Sequence, residues 1–117
     1  RKANLRGTSL TGTRLDKADL KGADLTGVRS GKVRGKPRVL PKGWVLAKGY
    51  LVGPGANLDQ AQLRGADLSR ANLRGTSLAG ARLDGAKLAG KSYSGIKGKP
   101  KKLPAGWRLV GRALKKR

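Results

Sequence analysis

Few residues of this 117-residue chain have side chains suited to acid–base, nucleophilic or redox chemistry. There is no His and no Cys, which excludes an imidazole base, a thiolate nucleophile and the common soft metal sites. The six acidic residues are all Asp. The stretch Gly53-Pro54-Gly55 lacks the Lys-Ser/Thr signature and the helix of a phosphate-binding loop. The sequence therefore predicts a protein that is not an enzyme, with no catalytic residue, metal, cofactor or small-molecule substrate.

The chemistry that remains is electrostatic. The 28 Lys and Arg residues outnumber the six Asp residues and give a formal net charge of +22. Such a charge on a small domain favours polyanionic partners and opposes self-association. Residues 28–55 carry seven basic residues and residues 91–117 carry ten, with no acidic residue in either segment. Acidic residues nearly balance the basic ones in residues 3–27 and 56–90. We therefore expect a polyanion to contact the two acid-free segments.

The predicted polyanion-binding residues are Lys and Arg side chains of these two segments. They are Arg29, Lys32, Arg34, Lys36, Arg38, Lys42, Lys48, Lys97, Lys99, Lys101, Lys102, Arg108, Arg112, Lys115, Lys116 and Arg117. We expect Arg64, Arg74 and Arg82 to contribute less, because nearby Asp residues offset part of their field. Contacts with a nucleic acid would then go mainly to phosphates, without sequence readout.

Aromatic residues offer a second way to contact nucleic acid, because bases can stack on them. Trp44, Trp107 and Tyr50 are candidates for such stacking. They stand beside Leu residues, however, in segments that must cover the ends of a repeat structure. We therefore favour packing as their role, with stacking as the alternative.

The elements that position these residues follow from a five-residue repeat. Leu recurs every five residues from Leu5 to Leu25 and from Leu58 to Leu88, with Ala or Thr two positions before each Leu. Asn or Asp often precedes the Leu directly, and Gly often ends the unit. A Leu stripe on a helix is the alternative, but five residues advance a helix by about 500° and never form one face. The period fits a coil that turns every five residues and buries the Leu and the small residue.

Units such as Ala-Asn-Leu-Arg-Gly (3–7) and Ala-Asp-Leu-Thr-Gly (23–27) resemble the pentapeptide-repeat family. The resemblance implies an all-β fold, a right-handed quadrilateral β-helix with four units per coil and a ladder of Leu side chains inside. Twelve units in register cover about half of the chain. Residues 35–58, with Leu-Pro-Lys-Gly-Trp and Gly-Tyr-Leu-Val-Gly-Pro-Gly, resemble an insert of some bacterial members.

Two similar segments accompany the repeats. Leu-Pro-Lys-Gly-Trp (40–44) matches Leu-Pro-Ala-Gly-Trp (103–107). After each, two strand-like runs flank a two-residue turn, Lys48-Gly49 or Gly111-Arg112, which predicts β-hairpins. The sequence thus predicts one domain over residues 1–117. Its coils would be residues 3–30 and 56–93, and its basic hairpin inserts residues 31–55 and 94–117.

Three hypotheses about function follow. The first is a scaffold that binds the phosphate backbone of a nucleic acid, above all structured RNA such as ribosomal RNA, within a larger ribonucleoprotein assembly. The second is a structural or interaction protein on an anionic surface: a cell-wall polymer, a membrane or an acidic partner. The third is an engineered, recharged solenoid, because Met is absent and Lys and Arg interchange at surface positions. A solvated basic surface without a partner is the simplest alternative.

One function of the resembled family is not carried over. Some pentapeptide-repeat proteins are acidic rods that imitate duplex DNA and occupy a topoisomerase. A chain with a net charge of +22 has the wrong sign for that role.

Cellular location is weakly constrained. No run of about 18 apolar residues is present, so the sequence predicts no transmembrane segment. It also shows no signal-peptide pattern. The absence of Cys fits the cytosol and equally a disulfide-free exported protein. We expect a cytoplasmic protein, with export left open.

Overall fold

The computed structural model describes residues 4–89 and 92–116. These residues are all-β. They include no helix, and hence no helix long and apolar enough to cross a membrane. The strands are β1 (Val45–Ala47), β2 (Tyr50–Val52), β3 (Ser92–Tyr93), β4 (Trp107–Val110) and β5 (Ala113–Lys116).

Outside these strands, segments twenty residues apart lie side by side in parallel. Asn57 bridges Ser77, and Ser77 bridges Lys97. Backbone hydrogen bonds run in both directions between neighbouring segments: the Leu58 amide donates to the Ser77 carbonyl at 2.8 Å, and the Ser77 amide donates to the Ala56 carbonyl at 3.0 Å. The described residues form five stacked layers, at 4–23, 24–43, 53–72, 73–89 and 94–104.

A β-turn ends the five-residue units. In the first one, the Thr8 amide donates to the Leu5 carbonyl at 3.1 Å, and Gly7 between them has φ of 69°. A positive φ at the third residue defines a type II turn, in which Gly carries no steric penalty. The polar residue before the Leu closes the same turn, as where the Oδ1 atom of Asn72 accepts a hydrogen bond from the Arg74 amide at 3.0 Å. The Gly and Asn/Asp positions of the repeat are thus turn chemistry.

The Leu residues and the small residues two positions before them form the core. In the third and fourth layers, the Leu residues from Leu58 to Leu83 are at most 1% exposed, and the Ala residues paired with them are buried. Thr76 replaces one Ala, and its hydroxyl donates to the Leu73 carbonyl at 2.9 Å. Leu5 and Leu10 in the first layer are only half-buried, because this layer has a described neighbour on one side only. The predicted inward-facing positions are confirmed.

The layers continue beyond the recognisable repeats: Arg14 bridges Arg34, and Ser77 bridges Lys97. Val33 and Ile96 occupy the place of the small residue and are buried. The place of the Leu two positions later is taken by Gly35 and Gly98. Both glycines are exposed and have a positive φ, so the apolar side chain that each segment adds to the core is Val33 or Ile96. Segments without the pentapeptide pattern therefore stay in the stack.

The first predicted hairpin is present and is inserted into the stack. Strands β1 and β2 pair antiparallel across the turn Lys48-Gly49, whose φ values of 52° and 81° are those of a type I′ turn. The Val33 amide donates to the Gly49 carbonyl at 3.1 Å. On the other side, the Gln62 amide donates to the hydroxyl of Tyr50 at 3.2 Å. The hairpin turn therefore lies between the second and third layers.

The second predicted hairpin is also present, with an additional strand. Strands β4 and β5 pair antiparallel, and β3 pairs with the other edge of β5. Trp107 is buried and stacks on Tyr93 with ring centroids 5.8 Å apart. Trp44 lies flat against Gly53, where a Cβ atom would approach the Trp44 ring to 2.1 Å. The preference for packing roles at Trp44 and Trp107 is confirmed.

A candidate polyanion-binding surface

The structure describes fifteen of the sixteen predicted binding residues, since Arg117 lies outside the described residues. All fifteen are exposed. Three ion pairs join described residues: Arg6–Asp24 at 3.7 Å, Arg14–Asp16 at 3.3 Å and Arg64–Asp84 at 2.9 Å. Every member of these pairs belongs to a repeat unit, and none is a predicted binding residue. The charge of the fifteen residues is therefore available to a partner.

Two of the carboxylates accept hydrogen bonds within their own turns. The Oδ1 atom of Asp67 accepts hydrogen bonds from the Ser69 hydroxyl at 2.6 Å and the Ser69 amide at 3.1 Å, which lower the pKa of Asp67. The amide and then the hydroxyl of Thr26 lower the pKa of Asp24 in the same way. Over residues 4–89 and 92–116, no three His, Cys, Asp or Glu residues are grouped as a metal site would need. Asp67 and Asp24 are thus engaged in turn hydrogen bonds, and the exposed Lys and Arg residues set the sign of the surface charge.

Two predicted binding residues lie directly beside cations of the repeats in a neighbouring layer. Arg34 bridges Arg14 between the first and second layers, and Lys102 bridges Arg82 between the fourth and fifth. Gln62 bridges Arg82 from the third layer. Bridged neighbours in a sheet are about 4.8 Å apart. Arg14, Arg34, Arg82 and Lys102 are termed the basic column.

Both halves of the basic column lie on the same side of the stack. Arg34 follows Arg29 by one unit, and Gln62 follows Asn57 by one unit. Because Arg29 bridges Asn57, we infer that the next units along the chain, which hold Arg34 and Gln62, lie on the same side of the stack. The turn of the first hairpin lies between them and carries the exposed Lys48. The column therefore has a cation in four of the five layers, and Gln62 takes the corresponding place in the third layer.

On the surface, basic residues of the nearly balanced repeats lie beside basic residues of the acid-free segments. Arg14 and Arg82 belong to the nearly balanced repeats, yet they lie beside Arg34 and Lys102 of the acid-free segments. Arg14 was not among the binding residues predicted from the sequence, and Arg82 was expected to contribute less. The members of each pair are twenty residues apart in the sequence, which corresponds to four units of five. This spacing is the sequence signal from which the pairs could have been predicted.

A second group of cations surrounds an open cavity of about 440 Å³ between the fifth layer and the second hairpin. Ile96 and Leu109 supply its apolar lining, and Lys97, Lys99 and Arg112 supply its charge, with no carboxylate among the described lining residues. The Ile96 amide donates to the Arg112 carbonyl at 2.8 Å, which ties the hairpin turn to the layer. The electrostatic environment of this cavity favours anions.

The remaining predicted residues are more dispersed. Arg108 and Lys115 are cross-strand partners on β4 and β5. Arg29 shares a side of the stack with Lys97, but Asn57 and Ser77 separate them. The others are also exposed: Lys32, Lys36, Arg38, Lys42, Lys101 and Lys116.

The model of the pentapeptide repeats family matches the chain with eight copies, over residues 1–29 and 55–90. These residues make up more than half of the chain. No curated protein and no solved structure shows significant similarity to it. The match covers the same residues in which the Leu ladder and the Asn/Asp turns were found, and the chain belongs to the pentapeptide-repeat family.

Proposed function

We propose that this chain is a non-enzymatic scaffold that binds the phosphate backbone of structured RNA, such as ribosomal RNA. The observation that carries the proposal is the set of fifteen exposed cations, none of which has a described carboxylate within ion-pair distance. A polyanion that neutralises such cations releases its own counterions, which drives binding without base contacts. A small basic chain of this kind suits an RNA-rich assembly in the cytoplasm.

We infer that the layers are turns of a right-handed, four-sided β-helix. The twenty-residue step between bridged neighbours corresponds to four units of five, and turns recur at the ends of the units. The described residues extend over 39 × 22 × 21 Å. A solenoid of this kind is a stiff spacer, because each layer is fixed to its neighbours by backbone hydrogen bonds. Its cations are then presented in fixed positions.

The surface favours a nucleic acid over a lipid bilayer. Proteins that lie on a membrane bury apolar side chains in it in addition to pairing charges with lipid headgroups. Among the described residues, Val110, which is 42% exposed, is the one large hydrophobic side chain exposed to solvent. The cations also lie on more than one side of the elongated body. Such a distribution suits RNA strands around the protein better than one flat anionic surface.

The test is a direct comparison of three polyanions with the full chain, freed of bound nucleic acid by nuclease treatment. Its binding to a labelled RNA hairpin, to phosphatidylserine-containing vesicles and to polyglutamate is measured at about 0.15 M salt. We expect the RNA to bind most tightly, with Kd below about 1 µM, the tight limit of typical non-specific binding. Binding to RNA weaker than about 100 µM would contradict the proposal. Tighter binding to the vesicles or to polyglutamate would favour the anionic-surface hypothesis instead.

A further inference from the structure

We propose that the basic column is the RNA-binding track of this protein and that its ligand is the backbone of an RNA duplex lying along the stack. This inference rests on the proposed nucleic-acid function and deepens it. It identifies one side of the stack, adds Arg14 and Arg82 to the binding residues, and selects double-stranded over single-stranded RNA.

The first support is that the column places like charges next to each other. Like charges directly opposite on adjacent strands are destabilising. Nevertheless Arg14 is bridged to Arg34 and Arg82 to Lys102. Other bridged positions in the stack, such as Asn57 with Ser77, carry no such repulsion. A bound polyanion would remove the repulsion.

Local carboxylates do not neutralise the column. Asp84, two residues after Arg82, is paired with Arg64 at 2.9 Å. Asp16 is paired with Arg14 at 3.3 Å, which leaves Arg34 unneutralised. Of the four cations in the column, three therefore have no ion pair with a described residue. Of these three, Arg34 and Lys102 are exposed and Arg82 is half-buried.

The length of the column suits a duplex. Five layers and the hairpin between the second and third make five steps of about 4.8 Å, or about 24 Å from Arg14 to Lys102. The turn of the first hairpin, which carries Lys48, lies between Arg34 and Gln62. Cations therefore recur along most of this length. A nucleic-acid duplex carries one phosphate per roughly 1.7 Å of axis, so roughly 14 phosphates are available over about 24 Å.

The aromatic residues argue for a duplex over a single strand. Proteins that bind single strands interleave basic residues with aromatic side chains on which bases stack. Here Tyr93 and Trp107 stack on each other inside the cap, and Trp44 lies against Gly53. Tyr50, half-buried, accepts a hydrogen bond from the Gln62 amide. The basic column thus offers charge to phosphates, and these aromatic rings are engaged elsewhere in the described structure.

The experiment compares two charge-matched double variants of the full chain. The column variant carries Arg34→Gln and Lys102→Gln, and the control carries Arg70→Gln and Arg74→Gln. All four residues are exposed and none is in an ion pair with a described residue, so both variants should fold. Affinity is measured by fluorescence anisotropy for an RNA duplex of about 16 base pairs, the span of a typical duplex-binding domain, and for oligouridine with the same number of phosphates.

The control residues lie away from the basic column. Arg70 and Arg74 flank Asn72, which precedes Arg82 of the column by ten residues. Because bridged neighbours are twenty residues apart, ten residues correspond to half of a layer. The control variant therefore loses the same charge from a different side of the stack.

At about 0.15 M salt, each lost phosphate contact weakens duplex binding roughly fivefold if the dependence on salt has an exponent of about 0.9 per contact. We therefore expect the column variant to bind the duplex roughly 30-fold more weakly and the control less than about threefold. The wild-type chain should prefer the duplex to oligouridine. Equal losses in the two variants, or a preference for oligouridine, would overturn this inference while leaving RNA binding intact. Failure of the wild-type chain to bind either RNA would instead overturn the proposed function.

Discussion

Replacing Leu83 by Ala tests whether the stacked layers are the source of stability. Leu83 is 0% exposed in the fourth layer. Because Arg82 bridges Gln62 on one side and Lys102 on the other, Leu83 lies between Leu63 and Leu103 of the neighbouring layers. The Leu83 amide donates to the Lys102 carbonyl at 2.9 Å, which holds the layers at a fixed separation. The layers therefore have little freedom to close a cavity left by the missing side chain.

The magnitude follows from the burial. Removing three carbons forfeits about 2.4 kcal/mol of transfer free energy at about 0.8 kcal/mol each. A cavity that does not collapse raises the cost to about 4 kcal/mol. Leu10→Ala is the matched control, because Leu10 is only half-buried in the first layer. About half of its transfer free energy is at stake, so we expect a loss of about 1 kcal/mol.

Urea denaturation followed by far-ultraviolet circular dichroism measures both losses. The slope of the free energy of unfolding against urea concentration should be unchanged, since a lower slope would mean that layers unfold separately. At about 4 °C per kcal/mol, Leu83→Ala should lower Tm by about 15 °C. Equal losses for the two variants, or a loss below about 1 kcal/mol at Leu83, would refute the stacked arrangement.

The remaining predictions concern the turns, the first hairpin and the cap. Hydrogen bonds from Ser69 lower the pKa of Asp67. The ionised Asp67 carboxylate should therefore stabilise the fold above about pH 4, and this stabilisation should be lost as the pH falls through the lowered pKa. Asp67→Asn should remove this part of the acid dependence when urea denaturation is measured at several pH values. Gly53→Ala should displace Trp44, since the new Cβ would come within 2.1 Å of its ring; we expect a shift in tryptophan emission and a loss of about 1–3 kcal/mol. Lys115→Glu should raise stability by about 0.5–1 kcal/mol, because it places an acid opposite Arg108; an unchanged or lower Tm would contradict this.

Much of the fold follows from short-range sequence rules. The five-residue period excluded a helix, the paired Leu and Ala positions identified the core, and Lys48-Gly49 identified a hairpin turn. Each of these depends on residues within a few positions of one another, where turn chemistry and side-chain size decide the conformation. For the same reason, the Asn or Asp that often precedes the Leu was recognisable in the sequence as a regular feature of the unit.

The unpredicted features depend on contacts between distant residues. Segments such as the one that begins at Val33 lack the Leu of the repeat, so nothing in their local pattern indicated that they continue the stack. The pairing of β3 with β5 joins Tyr93 to Leu114 and follows no local pattern. The basic column was missed because a count of charges along the chain treats Arg82 and Lys102 as members of different segments.

The salt dependence of RNA binding tests the central claim most directly, because it counts the phosphates that the protein neutralises. The affinity of the wild-type chain for an RNA duplex is measured by fluorescence anisotropy at several salt concentrations. If cations without ion pairs contact about six to eight phosphates, the logarithm of the affinity should fall against the logarithm of salt concentration with a slope of roughly −5 to −7. A slope shallower than about −2 would mean about two contacts or fewer and would contradict binding through the unpaired cations.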